Sequence, residues 1–218
     1  MDIVSVLCIL PCMSEAATIL PPVDPVPSRR RQVTRARICE AAKRLFFEIG
    51  FAPVTMDHIA QAAEIRRSTL YQHFRDKSEI LAAIAEDYTA KLRVVIASLP
   101  GPVPTRDEIA CWVSHFARFV TSERAATELL VSLSHLPKAP AAAVAFGQAL
   151  KAMMAERVTA FRDAGNPGAY QAQAKAIIVM DTLGWALCHH ARTGGCELSK
   201  ARLDVAADNL DRFVRGEM

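Results

Sequence analysis

Residues Thr55–Phe74, TMDHIAQAAEIRRSTLYQHF, decide the fold. The stretch divides into two short helices joined by a tight turn. Ile59, Ala60 and Ala63 stand at i, i+1 and i+4 and give the first helix an apolar side. Leu70 and Phe74, four apart, give the second helix a single apolar edge. Its remaining surface is Arg66, Arg67, Ser68, Thr69, Tyr71, Gln72 and His73. A helix that buries so little suits the major groove of duplex DNA, where Arg and Gln read base edges while Ser, Thr, Tyr and His hold phosphates. The same residues also suit an ordinary solvated amphipathic helix, so the flanking sequence has to decide.

Upstream, Ile38, Ala41, Ala42, Leu45, Phe46 and Ile49 form a continuous helical stripe over Thr34–Ile49. Gly50 is placed to end that helix, and Thr55 to cap the next one. Downstream, Arg75-Asp76-Lys77-Ser78 interrupts the pattern. A long helix follows over Asp76–Ser98, with Ile80, Leu81, Ile84, Tyr88, Leu92 and Val95 on one side. At 1.5 Å per residue it reaches about 34 Å, enough to join a head to a separate body.

Four motifs fall in register across Arg31–Tyr88. They are Phe47-x-x-Gly50-Phe51, Thr55-Met56-Asp57-His58-Ile59-Ala60, Ser68-Thr69-Leu70-Tyr71-Gln72-His73-Phe74 and Lys77-Ser78-Glu79-Ile80-Leu81. Together they closely resemble the DNA-binding domain of TetR-family transcriptional regulators. The resemblance implies an all-α protein. A three-helix helix-turn-helix DNA-binding domain would span residues 29–88, with its motif at 55–74, and a helical ligand-binding and dimerisation domain would span 89–218. It implies a dimeric repressor that releases a palindromic operator when a small hydrophobic effector binds. The effector would favour a body geometry in which the Asp76–Ser98 helix holds the two heads too far apart for successive grooves. Two departures stand out. Glu64 occupies a turn position where the family usually has Gly, and Arg66 occupies the cap position where it usually has Ser. The candidate DNA contacts are Thr55, Arg66, Arg67, Ser68, Thr69, Tyr71, Gln72, His73 and Lys77, joined by Arg31 and Arg35.

Charge is distributed to match. Residues 29–78 hold 11 Lys and Arg against 5 Asp and Glu, whereas residues 79–218 balance at 15 of each. Positive charge thus collects where phosphates would be met. Arg29-Arg30-Arg31, followed by Arg35 and Arg37, read as a basic arm for the minor groove or flanking phosphates. Ahead of it, Pro21, Pro22, Pro25 and Pro27 make an extended lead-in within residues 1–28. The apolar run Val4–Leu10 is too short to span a bilayer and lacks a preceding Lys or Arg, so no membrane association is expected. Translation is expected to begin at Met13, and the protein to be cytoplasmic with its six cysteines reduced, since none forms a CxxC pair.

The body reads as helices only, with no strand-like alternation. Thr105 caps a helix carrying Ile109, Trp112, Phe116 and Val120. A second starts near Ser122, a third runs Ala142–Ala164, a fourth Tyr170–Arg192, and Ser199 caps the last. The Tyr170–Arg192 and Ser199–Val214 helices are candidates for a two-fold interface. By the resemblance, Trp112, His115, Phe116, Phe119, Phe146, Met153, Met180 and Trp185 are candidate pocket residues, with Met154 beside them; each also suits a packed core. Two other readings stay open. Cys188 and Cys196 could sense oxidants, or Cys188-His189-His190 with Cys196 could bind metal. No acid–base partner accompanies them, so no enzyme activity, cofactor or metal is expected.

Overall fold

Ser28 opens the first helix. The structure is a computed structural model that describes residues 28–218. The apolar run, the start at Met13 and the extended lead-in expected in residues 1–27 lie outside them. The Ser28 hydroxyl accepts the Arg31 N–H, and α1 runs Arg29–Ile49. The helix therefore begins before Thr34, which corrects the expectation of an arm: Arg29, Arg30 and Arg31 are its first turn, started by the serine cap. Its buried face is Ile38, Ala41, Ala42 and Phe46. Ile49, expected on that face, is 52% exposed, because the chain leaves the helix at Gly50 with φ 88° and ψ 157°. That conformation is open essentially to glycine alone.

α2 (Met56–Ala62) starts with a reciprocal cap. The Thr55 hydroxyl accepts the His58 N–H at 3.2 Å, and His58 Nδ1 accepts the Thr55 N–H at 3.4 Å. The turn into α3 (Arg67–His73) passes through Glu64 at φ 52°. The Glu64 N–H donates to Gln61 O and the Ile65 N–H to Ala60 O, each at 3.0 Å. This is the doubly bonded helix end that demands a left-handed residue, and glutamate fills it. The turn thus keeps the geometry that glycine would serve and carries the strain. Glu64→Gly is expected to stabilise the protein by about 0.5–1 kcal/mol. Thermal unfolding should show it as a Tm rise of about 1–4 °C; a fall would contradict the strain. Arg66 stands at the α3 cap with no side-chain bond, so that helix start lacks the usual hydroxyl acceptor.

Leu70 and Phe74, at 0% and 1% exposure, seat α3 on a core shared with Ile38, Phe46, Ile59, Ile80 and Leu81. α4 (Lys77–Ala97) is capped by Asp76, whose carboxylate accepts the Glu79 N–H at 2.9 Å. Its first half closes the head. Its second half carries Leu92, Val95 and Ile96 into the body core.

The body contains α5 (Arg106–Ser122), α6 (Arg124–Ser134), α7 (Ala141–Arg157), α8 (Thr159–Ala164), α9 (Tyr170–Thr193) and α10 (Glu197–Arg215). Every regular element among the described residues is helical. The single helix expected over Ala142–Ala164 is split at Val158, which is extended and buried. Neither Gly nor Pro marks the break. It arises from the connection packed against it: the Thr159 N–H donates to Pro102 O at 3.0 Å, and the Arg157 guanidinium donates to Leu99 O. Ser199 also departs from expectation. Cys196 occupies the cap of α10, while Ser199 lies in the first turn, fully buried. Its hydroxyl donates to Cys196 O at 2.7 Å and sits 3.2 Å from His190 Nδ1, pinning α10 to α9.

One buried charge ties the head to the body. Glu128 of α6 accepts from Arg124 at 2.8 Å and from Arg192 of α9 at 2.7 Å. The Arg124 guanidinium lies 5.5 Å from the ring centre of Phe47 on α1.

Candidate nucleic-acid interface and body cavity

Because Leu70 and Phe74 are spent on the core, α3 turns its other residues outward. Arg66, Arg67, Ser68, Tyr71 and Gln72 are exposed, and Thr69 and His73 are half-buried. Ser68, Thr69 and Gln72 make no side-chain hydrogen bond to another described residue. Arg67 is held sideways across the face. It donates to Asp57 of α2 at 2.9 Å and lies 3.5 Å from the Tyr71 hydroxyl, with its guanidinium 5.5 Å from that ring. The Arg67–Asp57 pair is about 60% exposed on both sides, so solvent screens it and a base edge or phosphate can compete for the guanidinium.

Three of the expected contacts are spent inside the protein instead. Lys77 donates to Phe51 O at 2.9 Å, Ala52 O at 2.7 Å and Val54 O at 2.9 Å, which uses all three N–H bonds of its ammonium. Its ammonium also lies 4.8 Å from the centre of the Phe51 ring. Arg35 donates to His73 O at 3.0 Å and stacks 4.0 Å over Phe74, closing the C-terminal end of α3. The Thr55 hydroxyl is engaged by its own helix. Sequence spacing does not reveal such internal partners. Arg31 remains exposed. It and Arg35 act on His73, whose imidazole pKa is lowered first by burial and then by these two cations. The lowered pKa favours the neutral ring at neutral pH, and its Nδ1 is buried and unpartnered.

A cavity of about 760 Å³ opens in the body between α7 and α9, walled also by α6 and α8. Of the expected pocket residues, Phe146 and Met180 line it. Trp112 is instead packed under α4 and donates its indole N–H to Val95 O at 2.8 Å. Phe116 and Phe119 stack beside it and beside Tyr88, and Met153 lies in the core. Met154 is fully buried in that core as well. His115 is exposed on α5. Trp185, 46% exposed, lies 5.8 Å from the His135 ring and borders a groove with Leu198 and Val205 of α10. The aromatic residues thus mark the core, whereas the cavity is marked by glycine. Gly147 of α7 and Gly184 of α9 both line it, and a Cβ built on either meets no atom within 4 Å. A glycine inside a helix costs roughly 1 kcal/mol relative to alanine. Packing does not require either one, and their smallness keeps the space open. Two glycines inside long apolar helices were the available sequence signal.

The other open readings fare differently. Burial pushes the Cys188 thiol up to about 11, and Cys196 is exposed at the cap of α10. The thiol-pair reading therefore loses its inner partner. His190 is engaged by Ser199, and the Cys188, His189, His190 and Cys196 set is not gathered into a metal-ligand group among the described residues. No helix of the described residues is long and apolar enough to cross a membrane.

Comparison with known proteins agrees with this geometry. A sequence model of bacterial regulatory proteins, tetR family, matches residues 38–84. The HTH-type transcriptional regulator TtgR of Pseudomonas putida is 42% identical over 55 residues, 25% of this chain and 26% of that protein. AcrR of Shigella flexneri is 40% identical over 55 residues, with the same coverage. The chain thus spans about a quarter of the length of these relatives. Solved structures match further along it. A TetR family transcription regulator from Marinobacter aquaeolei VT8 superposes with TM-score 0.62 at 17% identity, over 83% of this chain and 96% of that one. A TetR-like transcriptional regulator from Rhodococcus sp. RHA1 gives TM-score 0.60 at 23% identity, over 88% and 98%.

Proposed function

We infer, for a chain that belongs to the tetR family of bacterial regulatory proteins, that it is a dimeric, ligand-responsive repressor of a palindromic operator. The observation that carries the DNA-binding part is the outer face of α3. Arg67, Ser68 and Gln72 are exposed on a helix whose docking is already satisfied by Leu70 and Phe74. Arg67 and Gln72 are the proposed base readers, and Ser68, Thr69, Tyr71 and Arg31 hold phosphates. Arg67 must exchange Asp57 for a base edge, so the pair acts as a weak resting latch. The dimer face we propose is the outer side of α9 and α10. Ile178, Trp185, Leu198 and Val205 expose apolar surface there, each 46–60%, and two-fold pairing would cover it.

The responsive part rests on the cavity and on Phe146. That ring lines the cavity and lies 5.6 Å from the ring of Tyr88 on α4. An occupant that repacks Phe146 therefore presses on the helix that carries the head. Only its differential affinity for two body geometries can shift DNA binding.

Selection of bound sequences from random duplex DNA with the purified protein tests the reading. A two-fold symmetric preferred site is expected. Arg67→Ala and Gln72→Ala should each cost about 1–3 kcal/mol on that site and relax one position of it. Equal loss on every duplex would reassign the residue to phosphate. No preference over bulk competitor at moderate salt would end the reading.

A further inference from the structure

The cavity has a direction. The 135–140 connection places the start of α7 beside His135, which lies 3.2 Å from Asp181 on α9. At the other end, α8 and its turn bring the start of α9 back beside the end of α7. The two helices therefore run antiparallel along the space. From Gln173 to Gly184 on α9 it is about 16 Å long.

Its charges are unevenly matched. Asp181 is faced by His135, whose two ring nitrogens lie 2.7 Å from Val131 O and 3.2 Å from the Asp181 carboxylate. Both partners are acceptors, so His135 is the neighbour that answers Asp181. The other charged lining residue, Lys151 on α7, is exposed and has no carboxylate partner among the described residues. Gln148, one turn before it on the same helix, makes no side-chain hydrogen bond to a described residue. Gln173 across the space already donates to Asn166 O at 3.4 Å. What remains is an apolar trough of Val144, Phe146, Phe161, Ile177 and Met180, with one unpaired cation and one free amide, both exposed, midway along its α7 wall.

We propose that the cavity takes an apolar molecule bearing a single carboxylate. Lys151 and Gln148 hold the head at the rim, and the tail lies along the apolar wall. A cationic head would meet Lys151 while the only lining carboxylate is already matched, and a neutral head would leave Lys151 unused. This rests on the reading of the cavity as an effector site.

The test uses the full chain and three probes of equal tail length, each below its micelle concentration: dodecanoate, 1-dodecanol and dodecyltrimethylammonium. Calorimetric titration is expected to show dodecanoate binding about tenfold tighter than the other two. Lys151→Met should bring dodecanoate to the level of dodecanol and leave dodecanol unchanged. Gly147→Phe, at a position where a Cβ meets no atom within 4 Å, puts a ring into the open side of α7 and should suppress all three. Equal binding of the three probes, a preference that survives Lys151→Met, binding that survives Gly147→Phe, or no binding of any probe would each overturn the proposal. Duplex preference is scored separately on the same preparation without amphiphile. Its loss would strike the regulator reading and leave the calorimetry standing.

Discussion

Replacing Lys77 with methionine is expected to destabilise the protein by about 3–4 kcal/mol and to lower Tm by about 10 °C. The ammonium closes three carbonyls of the 51–54 connection at 2.7–2.9 Å. No other donor among the described residues bonds these oxygens, so the variant leaves them to water and frees the link between α1 and α2. Methionine keeps much of the stem, which confines the loss to the charged bonds. Duplex affinity should fall through disorder of the head. The slope of log affinity against log salt should stay as in the parent, since no phosphate contact is removed. A stable variant whose slope drops by about one would instead make Lys77 a phosphate ligand.

Glu128→Ala is expected to cost about 2–3 kcal/mol in urea unfolding. Breaking a buried ion pair typically costs about 3–5 kcal/mol, but Arg124 and Arg192 are nearly half-exposed and can recover water. The wild-type carboxyl also carries a pH signature. Burial pushes its pKa up, but hydrogen bonds from Arg192 and Arg124 outweigh this and leave it below the ordinary glutamate value. Its contribution is therefore complete above the unfolded value of about 4.3. It is lost as pH falls through the depressed folded value. The gap between wild type and Glu128→Gln should narrow on acidification below about pH 4. A gap that widens would mean that the two arginines do not hold this carboxylate.

The helices of the head were legible because several signals agreed: the α1 stripe, the Thr55 cap, and Leu70 with Phe74 on one edge of α3. Glu64 was legible as a departure, and the structure resolves it as a left-handed residue held in a glycine's place. The inner roles of Lys77 and Arg35 were not legible. Their partners are carbonyls 23–26 and 38 residues away in sequence, and no side-chain pattern announces a carbonyl. The same limit hid the break at Val158, which a distant loop imposes on a good helix former's neighbourhood. Most of the candidate pocket residues lie outside the cavity for another reason. Large aromatics fill space in a core, so their density points away from a void, and the small residues Gly147 and Gly184 were the better guide.

Gly101 carries a last consequence. A Cβ on this residue would lie 2.3 Å from Arg157 O, while Arg157 reaches back to Leu99 O. The 99–102 segment is thus welded to the end of α7, with no slack for a side chain between them. A swivel of the rod that leaves the head against the wall of the cavity would have to break these contacts, so the two are coupled at this point.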